Sequence, residues 1–120
     1  MKNGFLKAAA ITPNLKVADT EYNTTEIIKE IEQAHKKQVR LAVFPELCIT
    51  GYTCEDLFLQ DLLLKEALAS LKKIMKASLE KDMLIIVGLP FYFRGALYNV
   101  AAVLFDGRLL GLVPKTFIPN

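Results

Sequence analysis

Apolar residues arrive in two rhythms along this chain. Short blocks are apolar almost throughout: Phe5 to Thr12, Leu41 to Phe44, Met83 to Pro90 and Leu97 to Phe105. Such runs, closed by proline, glycine or a charge, predict strands buried within a sheet. Between the first two blocks, Ile27, Ile31, Ala34 and Gln38 share a helical face with Ile28 beside it, while Lys29, Glu30, Lys36 and Lys37 point to water. This helix is expected to open at Asn23, with Glu26 completing a capping box. A longer helix is expected over roughly 56–80, its stripe formed by Leu64, Ala67, Leu68, Leu71, Ile74, Met75 and Ser78. Its opening turns, Leu57-Phe58-Leu59 and Leu62-Leu63-Leu64, are apolar all round, which predicts burial on two sides. The third block continues irregularly through Phe91-Tyr92-Phe93 and turns at Arg94-Gly95. Asp106-Gly107 is a two-residue hairpin signal leading into a last strand from Arg108 to Val113. The order β-α-β-α-β-β-β joins a parallel start to an antiparallel end, so an α/β fold with a mixed sheet is expected.

Composition removes several function classes. The 120 residues are 52% hydrophobic, which suits one small folded domain and excludes disorder. No run is long and uncharged enough to cross a membrane, and the N-terminus lacks a signal-peptide pattern. The net charge of +2 comes from lysines dispersed over helical faces, which leaves no footprint for nucleic acid. Two cysteines, Cys48 and Cys54, are too few for a disulfide framework and suit a reduced compartment. His35, the only histidine, reads as a partly exposed packing residue; with no second histidine or cysteine cluster, no metal site is expected.

The chemistry gathers where two strands meet prolines. Pro45 cannot donate to a ladder, so the second strand should stop there and leave Glu46 at its carboxyl end. Open α/β sheets collect their functional groups along that edge, although a lone Pro-Glu pair more often caps or solvates a loop. Val113-Pro114-Lys115 repeats the arrangement, with a charge after a proline that should halt a strand. Lys115 alone reads as a solvent lysine. No phosphate-binding glycine loop is present, since the six glycines are dispersed and Gly88 and Gly111 fall within strands.

The block from Phe44 through Pro45, Glu46, Leu47 and Cys48 to Phe58 resembles the catalytic-glutamate segment of the nitrilase (carbon–nitrogen hydrolase) superfamily. Its extension Gly51-Tyr52-Thr53-Cys54-Glu55-Asp56-Leu57-Phe58 resembles the amidase domain at the front of glutamine-dependent NAD synthetases. Lys115, following the hairpin's return strand, matches the superfamily's second catalytic position. The resemblance implies a four-layer α-β-β-α sandwich, of which this chain would supply the N-terminal half, with helices on one face of its sheet. It also implies a Glu-Lys-Cys triad. A cysteine thiolate attacks the amide carbon, Glu46 acts as general acid and base, and Lys115 stabilises the oxyanion. Tyr52 falls close to the glutamine pocket of that branch, though packing of its ring serves equally well.

The nucleophile is the departure. Neither Cys48 nor Cys54 stands where the superfamily places its cysteine, so both are expected to be buried, with Cys54 near enough to a helix entrance to be activated. Residues 1–120 are accordingly read as a partial amidase domain, truncated before the nucleophile, inactive alone and leaving one sheet face apolar and uncovered. The implied parent hydrolyses glutamine to supply ammonia for the ATP-dependent amidation of deamido-NAD. Its amidase half needs no cofactor; ATP, Mg²⁺ and deamido-NAD would belong to an absent synthetase domain. The implied partners are glutamine, the rest of the protein and further copies of it, in the cytoplasm, without nucleic acid or membrane. The alternatives are a stand-alone amidase, nitrilase or carbamoylase, and a non-catalytic assembly module.

Overall fold

The computed structural model describes residues 6–51 and 61–118. Strand β1 (Ala8–Ala10) leads to helix α1 (Thr20–Lys36), strand β2 (Leu41–Val43), helix α2 (Asp61–Ala77) and strands β3 (Leu84–Phe93), β4 (Ala96–Phe105) and β5 (Arg108–Ile118). The strands form one sheet in chain order, β1-β2-β3-β4-β5. The first three run parallel, with Ala9 opposite Ala42 and Ala42 opposite Ile85. The β3–β4 and β4–β5 pairs are antiparallel hairpins. The mixed α/β sheet expected from the order of periodicities is therefore the one formed.

Both helices lie on the same face of the sheet. Ile27, Ile31 and Ala34 of α1 share one buried cluster with Ala67, Leu71 and Ile74 of α2 and with Ile85, Val87, Leu89, Ala102 and Leu104 of the sheet. Complete burial of an isoleucine or leucine stabilises by about 1.5–3 kcal/mol, so this cluster supplies the main driving force. The opposite face carries Leu41, Val43, Leu84, Ile86 and Val103 in register, and among the described residues no helix covers it. Val43 and Val113 are exposed there.

Several elements depart from the sequence reading. Helix α1 begins a turn earlier than Asn23, because Asp19 is the N-cap and its carboxylate accepts from the Tyr22 N–H at 3.0 Å. Asn23 is instead buried inside the helix and fastens two loops to it. Its Oδ1 accepts from the Lys16 N–H at 2.7 Å, and its Nδ2 donates to the carbonyls of Lys16 (2.8 Å) and Ile49 (3.0 Å). Gln38 falls past the helix end and is exposed, as is His35. Strand β1 is shorter than Phe5 to Thr12, although the Ile11 N–H still donates to the Val43 carbonyl at 2.8 Å.

On α2 the buried stripe runs through Leu63, Ala67, Ser70, Leu71 and Ile74, so it is centred one position away from that expected at its start; Leu62 and Leu68 are exposed. The part of the expected helix before Asp61 lies outside the described residues. Phe91-Tyr92-Phe93 is regular strand, paired down to Phe93 opposite Ala96. Both hairpin turns use left-handed pairs, Arg94 (φ 49°) with Gly95 (φ 80°) and Asp106 (φ 48°) with Gly107 (φ 77°), which match the twist of the strands they join.

Pro114 does not end β5, which runs on to Ile118. Strand β5 forms the edge of the sheet, where a missing N–H can face outward without breaking a ladder. The register also shifts there: Asn99 lies opposite Thr116 and Val100 opposite Pro114, which leaves Lys115 unmatched across the pair. Lys115 is thus a bulge residue within a strand, not the first residue after one.

Candidate active site

Strand β2 ends at Val43, but the Phe44 N–H still reaches the Ile86 carbonyl at 2.9 Å. Pro45 then halts pairing as expected, and residues 46–50 form a turn. Leu47 takes a left-handed backbone (φ 54°), a conformation costing a leucine on the order of 1 kcal/mol or more. It is held there because its side chain is buried with Leu63 and Leu97. The Ile49 N–H donates to the Gly88 carbonyl at 3.1 Å, and the Gly88 N–H reaches the Cys48 sulfur at 3.4 Å.

The turn rests directly on β3. A Cβ at Gly88 would lie 2.4 Å from the Leu47 nitrogen and 3.0 Å from both the Glu46 carbonyl carbon and the Pro45 oxygen. Only glycine permits this approach, and it sets the height of Glu46 above the sheet. The Glu46 side chain is exposed, and its Oε2 accepts from the Asn99 Nδ2 on β4 at 3.4 Å.

Glu46, Asn99 and Lys115 border one small cleft of about 50 Å³, completed by Val43, Ile86, Gly88 and Ala101. The two charges singled out from the sequence, one in the turn after β2 and one within β5, thus reach one place although they lie far apart in the chain. The bulge between β4 and β5 is what delivers Lys115 to it. A carboxylate, an amide and an ammonium around one opening can together exchange protons and hold a polar group carrying negative charge.

Cys48 takes no part in such chemistry. Its side chain is fully buried, and that burial pushes the thiol up to about 12, so it remains protonated at neutral pH and is a poor nucleophile. Tyr52 and Cys54 lie outside the described residues. No group of three or more His, Cys, Asp or Glu able to hold a metal occurs among the described residues. Among the described residues the glycines lie in separate turns and strands and form no cradle for a nucleotide phosphate, so these residues do not fit ATP or Mg²⁺. Asn99 escaped the sequence reading. Its signal was a single amide within the apolar run Leu97 to Phe105, since a polar group buried there needs a partner.

The chain is similar to known proteins along nearly its whole length. A family model described as carbon-nitrogen hydrolase matches residues 7–116. The chain is 35% identical over 117 residues to a glutamine-dependent NAD(+) synthetase of Mycobacterium leprae, a match covering 98% of this chain and 17% of the relative. A solved glutamine-dependent NAD(+) synthetase from Cytophaga hutchinsonii superposes with a TM-score of 0.87 at 33% identity, over 96% of this chain and 20% of that one. An amidase from Nesterenkonia sp. shares the fold, with a TM-score of 0.82 at 15% identity, over 100% of this chain and 46% of its own. The chain therefore spans about a fifth of the length of the synthetases it matches. With a family match over nearly its whole length, the chain belongs to the carbon-nitrogen hydrolase family.

Proposed function

We propose that this chain is the N-terminal part of a glutaminase domain, in a protein that hydrolyses glutamine and passes the ammonia to the ATP-dependent amidation of deamido-NAD. The observation that carries the reading is the convergence of Glu46 and Lys115 on one cleft. The similarity to NAD synthetases along the chain supports glutamine as the amide.

In this mechanism Glu46 accepts the proton of a cysteine thiol, and the thiolate attacks the amide carbon of glutamine. Lys115 faces the oxyanion of the tetrahedral intermediate. Glu46 then returns its proton to the departing nitrogen as ammonia leaves and a thioester forms. Water, deprotonated by Glu46, attacks the thioester carbon, the C–S bond breaks to release glutamate, and Glu46 returns the proton to the cysteine sulfur. The nucleophile lies outside these 120 residues, a reading supported by the fully buried Cys48. The 120 residues alone are accordingly expected to release no ammonia from glutamine.

The test is Glu46→Gln in the full-length protein. Glutamine-dependent NAD synthesis should fall by at least ~10²-fold, the usual contribution of a positioned acid–base group. Synthesis fed with free ammonia should persist, because that nitrogen bypasses the amide-cleaving step. Equal loss with both nitrogen sources would show that Glu46 only holds the fold.

A further inference from the structure

Asn99 sits where its chemistry is costly. The residue is 5% exposed, within a strand whose neighbours Leu97, Val100, Ala101 and Ala102 are buried and apolar. Its Oδ1 is buried and has no hydrogen-bond partner among the described residues. A desolvated, unpaired carbonyl destabilises a fold, and an apolar side chain of similar volume would avoid that cost. The amide does have one partner, the Glu46 carboxylate. A carboxylate can only accept, so the Nδ2 side of the amide must face it, and the unpaired Oδ1 follows from that orientation.

Glu46 needs such a hold. Its side chain is exposed at the turn and free to sample several rotamers. The Asn99 amide, rooted in the central strand of the β3-β4-β5 hairpins, is its hydrogen-bond partner from the sheet. The register shift beside Asn99 also leaves Lys115 on the same cleft.

We propose that Asn99 is a positioning residue that holds the Glu46 carboxylate in its working orientation, at the expense of fold stability. This rests on the reading of Glu46 as the acid–base group, and Asn99 acts through Glu46 without touching the reacting atoms. The experiment uses the full-length protein and four variants: Asn99→Leu, Asn99→Asp, Glu46→Gln, and Glu46→Gln combined with Asn99→Leu. Asn99→Leu removes the donor at similar volume, and Asn99→Asp keeps the shape while presenting an acceptor to an acceptor.

Both Asn99 variants are expected to lower kcat for glutamine hydrolysis by roughly 10- to 100-fold, with KM within about threefold, as for a misplaced catalytic group. Asn99→Leu should unfold no earlier than the parent. The double variant should be no slower than Glu46→Gln alone, because a residue acting through Glu46 has nothing left to orient. Rates within about twofold of the parent in both single variants, beside an inactive Glu46→Gln, would overturn the positioning role and leave the functional reading intact. Additive losses in the double variant, or activity that falls only in step with the unfolding midpoint, would also overturn it. An active Glu46→Gln would instead remove the reading on which the proposal stands.

Discussion

Replacing Gly88 by alanine tests whether the Glu46 turn rests on β3. The added methyl would meet the Leu47 nitrogen at 2.4 Å and the Glu46 and Pro45 backbone at 3.0 Å. These are all main-chain atoms, so no side chain can rotate away. Non-bonded heavy atoms settle near ~3.5 Å, and the turn must therefore retreat by about 1 Å. Overpacking of this kind costs about 1–3 kcal/mol, or roughly 3–6 °C of unfolding midpoint per kcal/mol for a chain of this size. Gly111→Ala is the control, since a Cβ there meets nothing within 4 Å. It removes the same unfolded-state freedom without a clash and should be neutral or up to ~1 kcal/mol stabilising.

Unfolding of the 120-residue variants, followed by circular dichroism, reads the difference between the two glycines. In the full-length protein a 1 Å displacement of Glu46 should also slow glutamine hydrolysis by about 10²-fold for Gly88→Ala. Gly88→Ala unfolding together with Gly111→Ala in the 120-residue chain, and hydrolysing glutamine within about twofold of the parent in the full-length protein, would refute the contact and the reasoning built on it.

Other expectations follow from single residues. Asn23→Ala removes three hydrogen bonds joining α1 to the loops at Lys16 and Ile49, each contributing about 0.5–1.5 kcal/mol, and should lower stability by ~1.5–4.5 kcal/mol in denaturant titration. Cys48, raised from 9.0 to about 12 by burial, should resist iodoacetamide at pH 8 until denaturant is added, as mass spectrometry of its peptide would report. Below pH 9 this thiol is protonated in both states. Above it only the unfolded chain releases the proton, so stability should fall by up to ~1.4 kcal/mol per pH unit towards pH 12, with a slope that Cys48→Ala makes shallower. In the full-length protein Lys115→Met should lower glutamine hydrolysis by about 10²–10³-fold with an unchanged unfolding midpoint, and Lys115→Arg should recover only part because its fork places the charge elsewhere. Near-parent rates in Lys115→Met would return Lys115 to the role of a solvated lysine.

Local signals decided the elements. The apolar blocks and the Ile27-Ile31-Ala34 spacing specify which segments are strand and which helix, and Pro45 specifies where β2 must stop. Asp106-Gly107 likewise specifies a hairpin, because left-handed backbone is needed at both of its positions. These rules depend on near neighbours in the chain, so they are legible in one sequence. Glu46 and Lys115 were legible as single charges after prolines, but their meeting was not. It depends on the stacking of β2, β3, β4 and β5 and on one unmatched residue between β4 and β5.

Where two local solutions compete, tertiary contacts chose between them. Asp19 and Asn23 can each cap a helix; Asn23 is drawn into the interior because Lys16 and Ile49 offer its amide three hydrogen bonds there. Pro114 would close a central strand but not an edge strand, and β5 is known to be an edge only once the sheet is assembled. The hold of Asn99 on Glu46 and the approach of the turn to Gly88 join residues far apart in the chain. Residue order sets the local conformations, whereas contacts between distant segments exist only after the sheet has formed.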